Sequence, residues 1–339
     1  MVVLGVAQCL AGHGLSTFEV CDPESGSTIR GLSRGLAAAT GADAEKPVVV
    51  LIHGYPQTWR HVIKLLPRET RLFVPDIPGY GASSPPKASD KRAVGKAILV
   101  ALETLLEVSN ENTSTTTDGR PQRIVLVGHD RGARICHRLT VDAADHAPSF
   151  TILATALMDI VPTSVQWAAL ADPAEARNTF HWPLLANVEL ASAMIGALGA
   201  DVFVRLLMER WRGSSSAAIS RFEADDAMEV YSRPFRQLES VVRSSCADYE
   251  AGGGQDVEEQ ARDQAEGRRM GVPVLVLHCR GMGQRFGDVQ RAWQAWVERE
   301  PLLTVVQTGE GVGHFVAEED PEATVGAMQR WLAAISLAI

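Results

Sequence analysis

The stretch Val125-Leu126-Val127-Gly128-His129-Asp130-Arg131-Gly132-Ala133-Arg134 decides how the rest of this chain is organised. A short apolar run passes into a small-x-acid-x-small pattern, and the residues after it have helical spacing. Such a sequence predicts a strand, a very tight turn and the start of a helix. Gly128 and Gly132 flank Asp130 because a Cβ atom at either position would crowd the turn. The turn should lift the Asp130 side chain off the end of a sheet, at a helix N-terminus that favours negative charge.

Length and composition are ordinary for a soluble globular protein. The 339 residues suffice for one large domain or for a domain with a sizeable insertion. The net charge of -9, without a basic cluster, disfavours binding to nucleic acid or to an anionic membrane. The first ten residues lack the basic region of a signal peptide, and no stretch reaches ~18 unbroken apolar residues. We therefore expect no membrane span.

The cysteines indicate a reducing compartment. They are scattered and odd in number, and no pair has the spacing of metal ligands. Free thiols in a cytoplasmic protein are the expected state. The five residues are Cys9, Cys21, Cys136, Cys246 and Cys279.

Short apolar runs alternate with helical patterns, which predicts an α/β fold with a mostly parallel sheet flanked by helices. An early hairpin strand is expected at 27–35 and a polar surface loop at 110–119. The alternation stops at Pro162, and the chain reads as helical until the sheet resumes. We therefore predict a core of residues 1–161 and 268–339 and a helical lid (cap) of residues 162–267. The predicted strands are 47–53, 71–75, 123–127, 150–157, 273–278 and 302–307, of which the first two are expected to be buried. The main predicted helices are 60–66, 91–108, 131–144, 289–298 and 321–335.

Four polar motifs follow predicted strands, where ligands bind in open α/β sheets. They contain His53, Asp130, Asp159 and His314. An acid on the tight turn, a later acid and a histidine before the last helix follow the order of the α/β-hydrolase triad, with aspartate where esterases carry serine. Residues 47–339 therefore resemble the α/β-hydrolase fold. The aspartate narrows the resemblance to haloalkane dehalogenases, epoxide hydrolases and haloacetate dehalogenases.

Two arginines beside Asp130 favour the haloacetate branch. Arg131 and Arg134 are three residues apart on one predicted helix, so they share a face. Guanidinium groups can hold a carboxylate through bidentate hydrogen bonds. The fluoroacetate dehalogenase family carries a similar Asp-Arg-x-x-Arg sequence, which implies that both arginines bind the substrate carboxylate.

Further motifs support the same resemblance. His181-Trp182 is similar to a family pair that donates to the departing halide. Asp248-Tyr249-Glu250-Ala251-Gly252 resembles the family's Asp-Tyr-Arg-Ala-Gly, whose tyrosine completes the halide site, although Glu250 replaces a basic residue. His53-Gly54-Tyr55-Pro56-Gln57-Thr58 and Asp159-Ile160-Val161-Pro162-Thr163 also match. His278-Cys279 departs from the Trp-Gly common in relatives.

The resemblance implies hydrolytic dehalogenation of a small 2-halo acid. Asp130 would displace the halide and become an ester, which His314, oriented by Asp159, would hydrolyse. Backbone N–H groups of Tyr55 and Arg131 would hold the oxyanion. The expected partner is a small halogenated carboxylate, and no metal or organic cofactor is implied. A homodimer is the expected oligomeric state, because homodimers are common among soluble proteins.

Other readings remain open. An epoxide hydrolase would use the same triad with a pair of lid tyrosines, for which Tyr231 and Tyr249 are available. A haloalkane dehalogenase would not need two arginines. A ligand-binding receptor on the same scaffold would bind without turnover. Of the nearby residues, His53 and His129 are predicted to be structural. Trp211 could line the pocket, but core packing is favoured for it.

Overall fold

The computed structural model describes residue 10 and residues 12–36, 46–56, 59–113 and 120–339. Parts of three predicted features lie outside these residues. They are Gln57 and Thr58, which end the motif after the first buried strand, positions 114–119 of the predicted polar loop, and Cys9. The other four cysteines are free thiols, as predicted.

One mostly parallel sheet organises the fold. Its strands are β1 (Ser16–Asp22), β2 (Ser27–Arg34), β3 (Val48–Ile52), β4 (Leu72–Pro75), β5 (Gln122–His129), β6 (Phe150–Met158), β7 (Val274–His278) and β8 (Leu303–Gln307). Within the described residues the strand order is β1-β2-β4-β3-β5-β6-β7-β8. The pairs β1–β2 and β2–β4 are antiparallel and the other pairs are parallel. All residues of β3 and β7 are buried, as expected for apolar runs covered on both faces.

Helices cover the sheet, and a set of inserted helices separates β6 from β7 along the chain. The core helices are α1 (Arg60–Leu65), α2 (Lys91–Thr113), α3 (Arg131–Val141), α4 (Ala143–His146), α14 (Arg280–Phe286), α15 (Val289–Gln294), α16 (Val316–Glu319) and α17 (Pro321–Ala334). The inserted helices are α5 (Thr163–Ala169), α6 (Pro173–Asn178), α7 (His181–Leu185), α8 (Val188–Leu198), α9 (Ala200–Trp211), α10 (Ser216–Glu223), α11 (Ala227–Gln237), α12 (Glu239–Gly253) and α13 (Gln255–Glu266). We propose residues 162–267 as the lid.

Two glycines permit the tight turn between β5 and α3. A Cβ atom on Gly132 would lie 2.0 Å from the carbonyl oxygen of Ile52, and one on Gly128 would lie 2.5 Å from the backbone nitrogen of Ala133. Neither position tolerates a side chain, because the obstacles are backbone atoms. The predicted strand, turn and helix start are therefore present, with Asp130 at the turn.

One strand was missed and two predicted boundaries were wrong. β1, the partner of the predicted hairpin strand, was missed because Phe18 and Val20 are the only large apolar residues in it, too few for a clear strand pattern. α2 continues to Thr113, where a loop was expected from residue 110. The helix predicted over 289–298 ends at Gln294, because the following residues form a parallel bridge between Met270 and Val297.

Among the described residues, no single helix combines the length and apolar composition needed to cross a membrane. The helices α8 and α9 reach that composition only as a pair, and they are bent by 97° relative to each other.

Candidate active site

Asp130 lies at the start of α3 in a backbone conformation that non-glycine residues rarely adopt. Its φ is +47° and its ψ is −113°. Residues held in such conformations cluster at functional sites, where the surrounding structure must enforce them. The backbone N–H of Asp130 donates to the carbonyl of Met158 at 3.1 Å, and the N–H of Tyr55 donates to Asp130 Oδ2 at 3.0 Å. Tyr55 is thus one predicted oxyanion donor that already faces this carboxylate.

The charged neighbours of Asp130 keep its carboxylate ionised. Burial alone would raise its pKa. His314, Arg131, His129 and Arg134 outweigh that effect, and the pKa of Asp130 falls below its ordinary value. A buried carboxylate in this state is suited to nucleophilic attack.

Asp159 and His314 form the hydrogen bond expected of a triad. His314 Nδ1 donates to Asp159 Oδ2 at 2.7 Å, and the backbone N–H of Cys279 donates to Asp159 Oδ1 at 2.7 Å. Burial lowers the pKa of His314, but the hydrogen bond and charge of Asp159 raise it further, so the net pKa is raised. The Asp159 pKa is lowered, since the bond from His314 outweighs the effect of burial. The bond also fixes the ring so that Nε2 remains for another partner.

The triad and most of the predicted substrate-binding residues line one cavity of about 370 Å³. The cavity lies between the ends of the strands and the inserted helices. It is lined by Asp130, Arg134, Asp159, Gln166, Asn178, Thr179, His181, Trp182, Arg210, Trp211, Tyr249, Cys279, Gly281, Met282, Arg285, Val312, Gly313 and His314.

Arg131 is not among the residues that line this cavity, although it was predicted to bind the substrate carboxylate together with Arg134. Arg131 Nε donates to Asp248 Oδ2 at 2.8 Å, and its Nη2 donates to Asp248 Oδ1 at 2.7 Å. Lys91 and the Tyr80 hydroxyl donate to the same carboxylate. Burial would lower the pKa of Arg131, but the Asp248 charge raises it well above the ordinary value. Only Nη1 of this guanidinium, which is buried, has no partner among the described residues.

Arg134 is a buried cation whose partners are neutral. Its Nη1 donates to the Val161 carbonyl at 3.1 Å and to the Thr163 hydroxyl at 3.0 Å. Its Nε is buried and has no partner among the described residues. Burial and the charge of Arg131 lower the Arg134 pKa to about 10. An anion in the cavity would relieve this cost.

The predicted halide-binding residues lie together. The Tyr249 ring centroid is 5.7 Å from that of His181 and 5.5 Å from that of Trp182. Burial lowers the His181 pKa to about 3, so this imidazole is neutral, and its Nδ1 has no partner among the described residues. Trp182 also stacks on Arg134, whose guanidinium carbon lies 4.6 Å from the ring centroid. The cavity wall thus combines polar hydrogens with aromatic surface.

The predictions for the remaining aromatic residues had mixed outcomes. His53 is structural as expected, since its Nε2 accepts from the Ile77 N–H at 3.0 Å. His129 is buried, as expected, and its Nε2 donates to the carbonyl oxygen of His314 at 2.8 Å. Trp211 lines the cavity and also packs against the hydrophobic core, so both alternatives considered for it apply. Tyr231 does not line it, and its hydroxyl donates to Glu318 Oε2 at 2.6 Å.

Sequence reasoning missed the role of Asp248 beside Arg131. This acid was quoted as part of a motif, yet its partner lies 117 residues earlier in the chain. A lone aspartate in the residue pattern of α12 gives no local sign of that pairing. The available signal was indirect: a buried arginine requires an acid, and Asp248 precedes the predicted cavity residue Tyr249.

One group of carboxylates outside the cavity has the spacing of metal ligands. Oxygens of Asp90, Asp256 and Glu259 lie within 4.8 Å of one another. Lys91 Nζ lies 3.2 Å from Asp256, and Arg92 donates to Glu259 at 2.9 Å. Asp90 Oδ1 accepts the N–H of Ala93 at 2.9 Å. Each of the three acids therefore has a protein partner, and the group is explained without a metal.

Comparisons with known proteins give the same fold. The model of the alpha/beta hydrolase family matches residues 49–327. A fluoroacetate dehalogenase from Burkholderia sp is 28% identical over 291 residues, which cover 84% of this chain and 87% of that protein. A soluble epoxide hydrolase from Corynebacterium sp. (strain C12) is 24% identical over 299 residues, covering 84% and 90%. The structure of a candidate epoxide hydrolase from Pseudomonas aeruginosa has a TM-score of 0.74 and 27% identity, covering 95% of this chain and 96% of that one.

Proposed function

Because the chain belongs to the α/β-hydrolase family, we propose that it hydrolyses the carbon–halogen bond of small 2-halo carboxylates, haloacetates among them. The observation that carries this proposal is the buried Arg134 guanidinium beside Asp130. Its hydrogen-bond partners are neutral, and its Nε and the Nη1 of Arg131 are buried without partners among the described residues. Of these two donors, only Arg134 Nε belongs to a residue that lines the cavity, where it matches a substrate carboxylate.

The first half-reaction would be a displacement at the carbon that bears the halogen. Asp130 Oδ2 accepts the Tyr55 N–H, which leaves Oδ1 free to attack. A bond forms between Oδ1 and carbon, the carbon–halogen bond breaks, and halide leaves with the bonding electron pair. His181, Trp182 and Tyr249 would donate hydrogen bonds to the departing halide, which a poor leaving group such as fluoride needs.

The second half-reaction would hydrolyse the resulting ester. His314 Nε2 takes a proton from water while the water oxygen attacks Cγ of Asp130. Oδ2, now the carbonyl oxygen, gains negative charge beside the Tyr55 N–H. The intermediate then releases the 2-hydroxy acid, whose oxygen regains the proton from His314. Haloacetate and water thus give glycolate, halide and one proton.

The cavity supports substrates larger than a haloacetate. Its volume of about 370 Å³ corresponds to on the order of ten water molecules at ~30 Å³ each. A haloacetate is only a few waters in size. We therefore include 2-halo acids that carry a substituent on the reacting carbon, directed toward Gln166, Thr179 and Met282.

Epoxide hydrolysis is the second candidate, and the pair His181 and Tyr249 favours it. Both side chains line the cavity with Asp130, and both could donate to an epoxide oxygen. The pair of lid tyrosines expected from the sequence does not support it, because Tyr231 is bonded to Glu318 outside the cavity. A neutral epoxide also leaves Arg134 without an anion.

The test follows two products. Purified protein is incubated with fluoroacetate, chloroacetate and styrene oxide, and halide and diol are measured. Halide without diol supports the proposal, whereas diol without halide replaces it with epoxide hydrolysis. His314→Gln should trap a covalent adduct on Asp130 after one halide per chain, and absence of the adduct would contradict the ester intermediate.

We also propose that the protein is cytoplasmic and that it forms a homodimer.

A further inference from the structure

The lid is joined to the backbone around His314 by direct hydrogen bonds. The N–H of His314 donates to the carbonyl of Trp211 at 2.9 Å. The N–H groups of Ser214 and Ser215 donate to the carbonyl of Gly311 at 3.0 and 3.1 Å. The lid segment 211–215 and the histidine loop, residues 311–315, are thus held side by side.

One buried carboxylate ties this junction together. Glu319 Oε2 accepts the N–H of Gly213 at 2.8 Å and the N–H of Gly313 at 2.6 Å. Glu319 Oε1 accepts the N–H of Phe315 at 3.2 Å. Gly313 and Phe315 are the two neighbours of His314, and Gly213 belongs to the lid. The Glu319 side chain therefore binds both sides of the triad histidine and the lid at once.

The contact is too close for side chains on either glycine. A Cβ atom on Gly213 would lie 2.0 Å from the Gly311 carbonyl oxygen and 2.5 Å from Glu319 Oε2. A Cβ atom on Gly313 would lie 2.3 Å from the nitrogen of Gly213. The two backbones approach each other closely enough for one carboxylate to reach both N–H groups. Burial raises the pKa of Glu319, and the converging N–H donors oppose that effect because they favour the ionised carboxylate.

The junction contributes residues from the lid and from the histidine loop to the cavity wall. Trp211 lines the cavity, and its ring centroid is 4.5 Å from that of His181 and 6.1 Å from that of His314. Asp159 fixes one end of the His314 ring at Nδ1. The backbone of the histidine loop holds the Cα atom of His314. The hydrogen bonds to that backbone therefore help to determine where Nε2 points.

We propose that Glu319 is a positioning residue that couples the seating of the lid to the alignment of His314 for ester hydrolysis. The inference rests on the proposed function. In that reaction the displacement of halide by Asp130 does not use His314, whereas hydrolysis of the ester does. Loss of the Glu319 contacts therefore slows the second half-reaction selectively.

The test compares Glu319→Gln with Glu318→Gln. Glu318 is adjacent in α16 and equally buried, but it accepts from Tyr231 and from His61 Nδ1, away from the histidine loop. Rapid-quench kinetics with chloroacetate measures the halide burst, and intact mass measures the ester on Asp130. For Glu319→Gln we expect a burst rate within about threefold of wild type, a steady-state kcat lower by about 10- to 100-fold, a lower KM and accumulation of ester.

Two outcomes overturn the inference. One is a Glu319→Gln variant whose burst rate and kcat fall together without ester. The other is equal accumulation of ester in Glu318→Gln. Glu319→Asp, which keeps the charge with a shorter reach, should have an intermediate kcat, and it replaces the glutamine variant if that variant does not fold.

A readout without substrate separates this inference from the proposed function. In the resting enzyme, ¹⁵N NMR of the His314 ring should change in Glu319→Gln and remain as in wild type in Glu318→Gln. An unchanged ring signal in Glu319→Gln refutes the positioning role, even where the kinetics cannot be measured. If no halo acid yields halide or an adduct with the wild-type protein, the proposed function fails, while the ring signal still decides the role of Glu319.

Discussion

Replacing Arg134 by lysine tests the carboxylate site most directly. Arg134 Nη1 is committed to the Val161 carbonyl and the Thr163 hydroxyl, while the buried Nε is without a partner among the described residues. A lysine keeps the charge but concentrates its donors at one point. Its ammonium group cannot keep both anchors and also reach a carboxylate in the same geometry. One charge-assisted hydrogen bond to the substrate should therefore be lost.

The size of the effect follows from that single bond. A hydrogen bond to a charged group contributes about 1.5–3 kcal/mol. At about 1.4 kcal/mol per tenfold, kcat/KM should fall by about 10- to 150-fold. The carboxylate is held both before and during displacement, so most of the loss should appear in KM. Arg134→Met removes the charge as well and should lower kcat/KM further.

The assay is the initial rate of halide release over a range of haloacetate concentrations, with acetate as a competitive inhibitor. The KM of the substrate and the Ki of acetate should rise together in Arg134→Lys. Arg138→Lys is the matched control. Arg138 lies one turn later in α3 and is also buried, but it is paired with Asp142 at 2.7 Å and does not line the cavity. An acetate Ki within about twofold of wild type in Arg134→Lys would refute the carboxylate site.

Three further predictions concern the base, the lid and the turn. Asp159 raises the pKa of His314 above the ordinary value of 6.5, and only the neutral imidazole can accept a proton. The kcat should therefore rise with pH through a midpoint above 6.5. Asp159→Asn should lower both this midpoint and the rate. An unmoved midpoint in kcat–pH profiles would contradict the pairing. Tyr231→Phe should cost about 1 kcal/mol in urea unfolding but change kcat by less than about twofold, and a large loss of kcat would favour the epoxide hydrolase mechanism. Gly132→Ala should destabilise the fold by at least about 3 kcal/mol in thermal unfolding, because the new Cβ atom meets backbone atoms. The control is Gly196→Ala, on an exposed face with nothing within 4 Å, which should stabilise the fold by about 0.5–1 kcal/mol. Similar effects of the two substitutions would refute the steric argument.

The sequence predicted the parts of this protein that depend on local pattern. The strand, turn and helix around Asp130 follow from two glycines with no room for a Cβ atom. The predicted triad follows from the order of the polar motifs that come after the strands. The hydrogen bond from His314 to Asp159 joins positions 155 residues apart, and it could be expected because parallel strands end at one edge of the sheet. Periodicity and motif order were sufficient there.

Contacts between lid and core were beyond such reasoning. Whether Arg131 faces the substrate or an acid depends on which residue of α12 lies above it, and no pattern within α12 identifies Asp248. The same limit applies to Trp211. Its place in the cavity depends on backbone contacts with the histidine loop, which lies about a hundred residues later in the chain. These contacts depend on how two separately folded surfaces meet, and periodicity within either surface does not specify that.

The balance of buried charge explains why the two arginines are not equivalent. Asp248 already compensates Arg131 and holds its guanidinium in a fixed orientation. Arg134 has only neutral hydrogen-bond partners, and burial and the charge of Arg131 lower its pKa to about 10, although the charge of Asp130 opposes that effect. The free protein therefore bears more of the cost of a buried cation at Arg134 than at Arg131. In the proposed function, a bound carboxylate would reduce that cost and would bring its own carbon–halogen bond toward Asp130. A neutral epoxide or haloalkane leaves the cost in place. We therefore expect Arg134 to favour a negatively charged substrate. Sequence spacing alone could not distinguish Arg134 from Arg131 in this respect.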